Sequence, residues 1–242
     1  MEWHPEVRIS VTGGGSGTGI AAMINGTVDL ANASRAMKSE EIAAAEANGI
    51  TPVEFTVARD AIAVVVHPSN PVDGLTLQQI SDIYTGKITN WSQVAGADRP
   101  IVLLSRESNS GTYVYFLENV IRLGEQESDL EQESDLLFSP DTLLMPSSEG
   151  ISAEVRQNPN AIGYDGLGYV TSDQKMLAVA RDADKPYVLP AVETVNDGSY
   201  PISRPLYVYT AGEPAGAVKA YLDWILSEGQ SLVSKLGFVP LR

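Results

Sequence analysis

The chain has 242 residues, 31 of them Asp or Glu and 16 of them Lys or Arg, so its formal net charge is −15 at pH 7. This charge argues against a nucleic-acid partner, because binding a phosphate backbone needs a dense cationic surface. The lack of cysteine excludes disulfides, thiolate metal sites and a cysteine nucleophile. No apolar run reaches the ~18 residues that a membrane-spanning helix needs.

Apolar runs typical of strands recur along the chain and alternate with segments of helical periodicity. The predicted strands are Val7–Val11, Phe55–Val66, Ile101–Leu104, Ala161–Tyr164, Met176–Val179 and Leu206–Tyr209. This alternation predicts an α/β fold in which mostly parallel sheets are flanked by helices. The length allows one large domain or two small ones.

Two helices carry clear local signals. Thr76 and Gln79 form a capping box at the start of one predicted helix. A second helix is predicted over Gly111–Leu123, with Glu118 and Arg122 as an i,i+4 ion pair on its solvent side.

A short duplication interrupts this pattern. Glu125–Leu130 reads EQESDL, and Glu131–Leu136 repeats it letter for letter. The unit is too short to be a solenoid repeat, and its acidic side chains favour solvent. We therefore expect a tolerated surface insertion without chemistry.

A glycine-dense loop follows the first predicted strand. Val11–Ile20 reads VTGGGSGTGI and leads into a helix. Converging backbone N–H groups and a helix N-terminus bind anions, which favours an anion site at Ser16, Gly17 and Thr18. The loop lacks the lysine of a nucleotide-binding P-loop and the glycine spacing of a dinucleotide fingerprint. A merely flexible turn is the alternative interpretation.

Two further segments offer anion-binding groups. Ser34 and Arg35 follow an apolar run, although a strand end with a surface arginine explains this pair equally well. Arg106 precedes Ser110-Gly111-Thr112, which opens the predicted helix Gly111–Leu123. A guanidinium, two hydroxyls and free amides around one point suit a tetrahedral oxyanion, although Ser110 also fits a simple N-cap.

Enzymatic chemistry has little support in the sequence. Neither of the two histidines, His4 and His67, lies near a nucleophile motif, and no Gly-x-Ser-x-Gly elbow or zinc-protease motif is present. We therefore expect a protein that is not an enzyme and that has no metal or cofactor. A phosphate-releasing hydrolase with Arg106 as electrophile is the enzyme alternative.

Together these segments resemble the phosphate-binding proteins that serve as substrate-binding components of phosphate ABC transporters. The motifs that carry the resemblance are VTGGGSGTG (Val11–Gly19), NGTVDLANASR (Asn25–Arg35), SRESNSGTY (Ser105–Tyr113), NPNAIGYDGLGYV (Asn158–Val170) and YPISRPLYVY (Tyr200–Tyr209). The resemblance implies the two-lobed periplasmic-binding-protein fold of type II, with two crossing strands and the anion in the cleft. It implies lobe I over 1–67 and 176–242 and lobe II over 68–175.

The resemblance also implies the partners and the site. The partners are inorganic phosphate and a membrane permease, and the location is periplasmic or extracellular, with a signal or lipid anchor absent from this chain. A phosphate sensor outside transport is an alternative. The implied phosphate-binding residues are Ser16, Gly17, Thr18, Ser34, Arg35, Arg106, Ser110, Gly111 and Thr112.

Two departures from the family pattern lead to further expectations. Family members generally begin with a strand, a phosphate-contacting loop and a helix that do not precede Met1 here, so we expect weakened phosphate binding. Arg35 stands where some relatives have an aspartate that accepts the proton of hydrogen phosphate. Glu107 and Asp165 are the candidates for that acceptor in this chain.

Overall fold

Strand β2 (Pro52–Val66) is the longest element of the molecule and connects two regions of sheet. The structure is a computed structural model that describes residues 8–123 and 135–241. The other strands are β1 (Leu30–Ala33), β3 (Gly74–Thr76), β4 (Val102–Arg106), β5 (Leu143–Met145), β6 (Ala161–Gly166), β7 (Lys175–Met176), β8 (Ala178–Ala180) and β9 (Ser203–Ala211).

Helices cover both regions of sheet. They are α1 (Ser16–Ile24), α2 (Ser39–Ala47), α3 (Leu77–Tyr84), α4 (Gly111–Phe116), α5 (Ser148–Gln157), α6 (Val192–Asn196), α7 (Gly216–Ile225) and α8 (Gln230–Lys235). A π-helical turn over Leu117–Ile121 continues α4. Every helix in the described part of the chain is too short or too polar to cross a bilayer.

The partner of β2 changes part-way along the strand. Its first part, Pro52–Ala61, pairs antiparallel with β9, which also pairs antiparallel with β1. Its last part, Ile62–Val66, pairs antiparallel with β6. Beyond β6, strands β4 and β5 continue the sheet in parallel pairings. The segments at β1 and β4 in which the sequence predicts anion-binding residues therefore lie at different places along one continuous sheet.

The α/β class is confirmed, but the expectation of mostly parallel sheets is wrong in detail. Four of the seven pairings between the described strands are antiparallel and three are parallel. The reason is that β2 and β9 run in opposite directions through the molecule, and β2 takes part in three of the antiparallel pairings.

The cores follow the alternation of side chains along β2. Ile62, Val64 and Val66 join a large cluster, and Ala63 and Val65 join a smaller one under α5. All five side chains are fully buried. A separate cluster under α1 consists of Ile20, Met23, Ala31, Ala33, Met37 and Tyr209. Among the described residues this cluster is separate from the other two, so the β1 region has its own small core.

Several local predictions are confirmed. The apolar run Phe55–Val66 lies within β2. In the capping box of α3, the amide of Thr76 donates to Gln79 Oε1 (2.9 Å) and the amide of Gln79 donates to Thr76 Oγ1 (3.1 Å). The predicted strand Met176–Val179 corresponds to two short strands, β7 and β8, which pair with β2 and β3 respectively.

Other predictions of local structure are wrong. Residues 8–11 form no strand, because none of the described strands lies beside them to accept their hydrogen bonds. The predicted helix Gly111–Leu123 becomes a π turn after Phe116, which removes the expected Glu118–Arg122 pair. Glu118 instead lies 3.5 Å from Lys38 Nζ, and Arg122 Nε donates to the carbonyl of residue 136 (3.1 Å). The EQESDL duplication lies outside the described residues except for positions 135 and 136.

Candidate functional site

The glycine loop brings the N-terminus of α1 against the loop that precedes α4. Gly14 has φ +149°, a conformation that side chains disfavour. A Cβ on Gly15 would lie 2.0 Å from the carbonyl oxygen of Asn109. Only glycine therefore permits this approach between two segments that are almost 100 residues apart in sequence. Helix α1 begins at the next residue, Ser16, which is buried.

Two serines from different elements meet at this point. Ser16 Oγ lies 3.2 Å from Ser34 Oγ and accepts a hydrogen bond from the Ser34 amide at 3.0 Å. Ser34 follows directly after β1. A Cβ on Gly111 would lie 2.2 Å from Ser16 Oγ and 2.4 Å from Ser34 Oγ. The two hydroxyls therefore face the first residue of α4.

The start of α4 supplies further donors. Ser110 is the N-cap residue, and its Oγ accepts a hydrogen bond from the Thr112 amide at 3.2 Å. Ser110, Gly111 and Thr112 are all buried. A helix N-terminus presents unpaired amides and a partial positive charge. With α1 and α4 both beginning here, hydroxyls and amides of two helix starts converge on one place.

Gly17 and Thr18 lie at the edge of this arrangement. A Cβ on Gly17 would be 3.8 Å from the carbonyl oxygen of Asn109, so Gly17 also faces the α4 loop. The Thr18 side chain is exposed and packs beside Gly14, while its amide donates to the carbonyl of Gly15 at 2.9 Å. The contribution of Thr18 to anion binding stays a prediction.

Arg106 at the end of β4 is held by the segment that begins α5. Its Nη1 donates to Ser148 Oγ (3.0 Å) and its Nη2 donates to the carbonyl of Pro146 (3.2 Å). Its buried Nε has no hydrogen-bond partner among the described residues. The guanidinium is therefore fixed in place four residues before Ser110, with one donor unused.

Arg35 forms a bidentate ion pair with Glu41 of α2. The distances are 2.8 Å from Nη1 to Oε2 and 2.7 Å from Nη2 to Oε1. This pair raises the pKa of Arg35 and lowers the pKa of Glu41. Arg35 Nε is buried without a partner in the described structure. Glu41 thus offsets most of the charge that Arg35 could offer to an anion.

Asp165 of β6 is the better placed of the two candidate proton acceptors. It is 1% exposed, whereas Glu107 lies on the surface. Asp165 Oδ1 accepts from the Gly166 amide at 3.0 Å, and its buried Oδ2 has no partner among the described residues. Burial raises the pKa of Asp165 to about 6, against the opposing effects of Ser148, the Gly166 amide and the Arg106 charge.

Comparison with known proteins places this geometry in a family. Residues 1–229 match the PBP superfamily domain. The phosphate-binding protein PstS of Pseudomonas aeruginosa is 34% identical over 98% of this chain and 76% of its own length. PstS of Bacillus subtilis is 31% identical over 100% of this chain and 74% of its own length. The chain belongs to the PstS family of phosphate-binding proteins.

Solved structures agree with membership of the PstS family. A Clostridium perfringens protein assigned as a phosphate ABC transporter substrate-binding protein, with phosphate bound, superimposes with a TM-score of 0.84 at 34% identity. That match covers 100% of this chain and 90% of the other. An ABC-type phosphate transport receptor from Vibrio cholerae gives a TM-score of 0.76 at 30% identity, covering 98% of this chain and 90% of the other. The type II periplasmic-binding-protein fold is thereby confirmed.

The sequence analysis did not predict two residues that lie beside the site in this PstS-family protein. Asp60 of β2 and Arg204 of β9 form an ion pair of 3.1 Å and are 2% and 4% exposed. The available signal was a charged residue, Asp60, inside the apolar run Phe55–Val66. Its partner could not be identified, because a strand sequence does not specify which strand will lie opposite.

Proposed function

We propose that this chain binds inorganic phosphate between two lobes and delivers it to the permease of an ABC transporter. The observation that carries the proposal is the convergence of Ser16 Oγ and Ser34 Oγ on Gly111 at the start of α4. These groups are hydrogen-bond donors arranged around one point, as a small tetrahedral anion requires. Delivery to a permease places the protein on the outer side of the membrane, periplasmic or extracellular.

Each predicted lobe supplies part of the site. Ser16, Ser34 and Arg35 lie in lobe I (1–67 and 176–242), and Arg106 and Ser110–Thr112 lie in lobe II (68–175). Phosphate bound between them bridges the lobes, so its binding energy favours the closed arrangement over an open one. The permease then recognises the closed form. The protein acts in this scheme by binding and release, without catalysis.

An acidic protein can hold an anion because only nearby groups matter. Charges at the surface are screened over about 8–10 Å at physiological salt. The site itself contains hydroxyls, backbone amides, the two helix starts and Arg106. Each charge-assisted hydrogen bond to phosphate contributes on the order of 1.5–3 kcal/mol. A few such bonds therefore outweigh the distant net charge of −15.

Selectivity against sulfate needs a group that accepts a proton from the ligand. At neutral pH phosphate carries a proton and sulfate does not. We assign this role to Asp165, which is buried and has one carboxylate oxygen without a partner in the described structure. A carboxylate facing a fully deprotonated oxyanion finds repulsion in place of a hydrogen bond, which disfavours sulfate.

Titration calorimetry tests this function directly. The chain is titrated with phosphate, with sulfate and with a phosphomonoester, and free phosphate is assayed after incubation with the ester. The proposal requires saturable 1:1 binding of phosphate, much weaker binding of sulfate and no release of phosphate from the ester. Equal affinity for sulfate would refute the selectivity, and the absence of phosphate binding would refute the function.

A further inference from the structure

A buried ion pair joins the two longest strands at the place where α4 begins. Asp60 and Arg204 lie directly opposite each other in the antiparallel pairing of β2 and β9. Arg204 Nη2 donates to Asp60 Oδ2 at 3.1 Å and to Thr112 Oγ1 at 2.8 Å. One nitrogen atom therefore links both strands to the second residue of α4.

A contribution to the stability of the fold does not by itself explain why this ion pair is buried. Taking two charges out of water costs free energy that their mutual attraction repays only with good additional hydrogen bonds. Here Arg204 Nε, Arg204 Nη1 and Asp60 Oδ1 are buried without hydrogen-bond partners in the described structure. Burial raises the pKa of Asp60 against the effect of Arg204, which reflects the same cost. In general, replacing a buried ion pair by well-packed apolar residues of similar volume is often neutral or stabilising.

The contact with Thr112 restricts where a hydroxyl proton can point. A threonine hydroxyl has one proton to donate and accepts through its lone pairs. Because Thr112 Oγ1 accepts from Arg204, its own proton points away from the guanidinium. Among the described residues that hydroxyl donates to no other group. The proton therefore remains available to a ligand at the start of α4.

Other contacts hold Arg204 and α4 in register. The Arg204 guanidinium lies 5.5 Å from the centroid of the Tyr115 ring, close enough for a cation–π interaction. Tyr115 Oη donates to the carbonyl of Ser203 at 2.7 Å. Helix α4 is thus attached to two adjacent residues of β9, Ser203 and Arg204, and β9 pairs in turn with β2.

We propose that Arg204 is a positioning residue for phosphate: with Asp60 as its counter-charge, it directs the Thr112 hydroxyl proton toward the anion in the closed arrangement of the two predicted lobes. This inference rests on the proposed function, since it needs phosphate at the start of α4. It adds a residue that touches no ligand and that acts through Thr112. The Asp60–Arg204 ion pair between β2 and β9 thereby supports the binding site.

A thermodynamic cycle in phosphate affinity separates positioning from a general structural role. The main variant is Asp60→Asn/Arg204→Met, which removes the donor without leaving an unpaired buried charge. It is compared with Asp60→Asn alone, with Thr112→Val and with the triple variant. Arg59→Lys, a change at the exposed neighbour of Asp60 on β2, is the matched control. Dissociation constants come from calorimetry, and thermal unfolding without phosphate reports folding.

The expected effects follow from the loss of one oriented hydrogen bond to a charged ligand. Asp60→Asn/Arg204→Met and Thr112→Val each weaken phosphate binding about tenfold, and the triple variant is no weaker than Thr112→Val within about twofold. Arg59→Lys stays within about threefold of the unmodified chain. Asp60→Asn alone leaves the Arg204 charge buried and unpaired, so it lowers the thermal midpoint and also weakens phosphate binding. Arg204→Lys keeps a charged donor, so this variant binds phosphate more tightly than Asp60→Asn/Arg204→Met.

Two results would overturn the inference. Multiplicative losses in the triple variant would mean that Arg204 acts independently of Thr112. Unchanged affinity in Asp60→Asn/Arg204→Met would mean that it does not act on the ligand. If Asp60→Asn/Arg204→Met does not fold, the cycle is run with Arg204→Lys, Thr112→Val and the variant that combines these two changes. Losses of phosphate affinity that multiply in Arg204→Lys/Thr112→Val would again overturn the inference. Absence of phosphate binding by the unmodified chain would refute the proposed function itself and is distinguishable from both.

Discussion

Arg106 and Arg35 carry the same charge but differ in how much of it an anion can use. Arg35 is matched by the carboxylate of Glu41 in a bidentate pair. Arg106 donates to two neutral oxygens, on Ser148 and Pro146. Neutral acceptors hold the guanidinium in place without cancelling its charge. We therefore assign the larger electrostatic contribution to Arg106.

Arg106→Ala is expected to weaken phosphate binding by about tenfold to a hundredfold or more, the equivalent of one or two charge-assisted hydrogen bonds. Calorimetry measures the affinity, and thermal unfolding without phosphate reports whether the fold is retained. Arg156→Ala on α5 is the control, since its ion pair with Asp173 (3.4 Å) lies on the surface. Affinity retained in Arg106→Ala would remove Arg106 from the site.

Asp165 makes stability depend on pH in a direction opposite to that of most carboxyls. Its folded-state pKa is about 6, whereas an unfolded aspartate titrates near ~3.9. Between these values the folded state holds a proton that the unfolded state has lost. The free energy of unfolding therefore falls as pH rises through this window.

Asp165→Asn is expected to raise the free energy of unfolding above pH 7 by about 1–3 kcal/mol and to leave it unchanged near pH 4. Urea unfolding at a series of pH values measures the difference. The same variant should narrow the preference for phosphate over sulfate in calorimetry. A constant difference between the two proteins across all pH values would contradict the burial of this carboxyl.

The sequence predicted the individual donors better than their surroundings. Local motifs predict Ser16, Ser34 and Gly111 as site residues, and the structure brings these three together. The ion pair of Arg35 and the link from Arg204 to Thr112 were missed. Both depend on residues that are distant in sequence or on a neighbouring helix, and single-residue chemistry does not specify such partners.

At the scale of elements, two glycines in helical positions differ in what they permit. Gly111 opens α4, where an added Cβ would meet Ser16 Oγ at 2.2 Å and Ser34 Oγ at 2.4 Å. Gly150 lies in the first turn of α5, where the nearest atom to an added Cβ, on Met145, is 3.6 Å away. The same substitution should therefore have opposite consequences at the two positions.

Gly111→Ala is expected to reduce phosphate affinity at least about tenfold, because the methyl group pushes the two hydroxyls away from α4. Gly150→Ala should keep the affinity and stabilise the fold by up to about 1 kcal/mol, as alanine favours helix. Calorimetry and thermal unfolding of both variants measure these effects. Normal affinity in Gly111→Ala would show that the serines need not approach α4.

Elements with complete local signals were predictable and those that depend on neighbours were not. The capping box of Thr76 and Gln79 is confirmed because both of its bonds lie within four residues. Residues 8–11 have a strand-like composition, yet a strand needs a partner for its hydrogen bonds. The π turn after Phe116 has no local signal either, because the helical periodicity of the sequence continues through it.

For the molecule as a whole, an ion pair links the region of α2 to the π turn after α4. Lys38 Nζ lies 3.5 Å from Glu118 Oε1, and both side chains are nearly half exposed. These residues belong to the two predicted lobes. A contact of this kind exists only when the lobes are together, so it adds a small and salt-dependent stabilisation to the closed form.

Lys38→Glu is expected to weaken phosphate binding about two- to fivefold at low salt, because two carboxylates then face each other on closure. The charge-swapped variant Lys38→Glu/Glu118→Lys should restore the affinity, and about 0.5 M salt should remove the difference. Lys219→Glu breaks a similarly exposed pair with Asp223 on α7 and serves as the control. An effect that persists in the charge-swapped variant would contradict an interlobe contact.

The overall architecture was predictable only in part from the order of its elements. Alternating strands and helices specified the α/β class, and the resemblance specified two lobes. The antiparallel course of β2 and β9 was not predicted, since it depends on which strands become neighbours after a long connection. That pairing is also what brings Arg204 opposite Asp60.

The most direct test of the central claim is a crystal structure of this chain grown with phosphate. We predict one tetrahedral anion within hydrogen-bonding distance of Ser16 Oγ, Ser34 Oγ and the amides of Gly111 and Thr112. An anion bound elsewhere, or the two serines separated from α4 in the phosphate-bound form, would contradict the account.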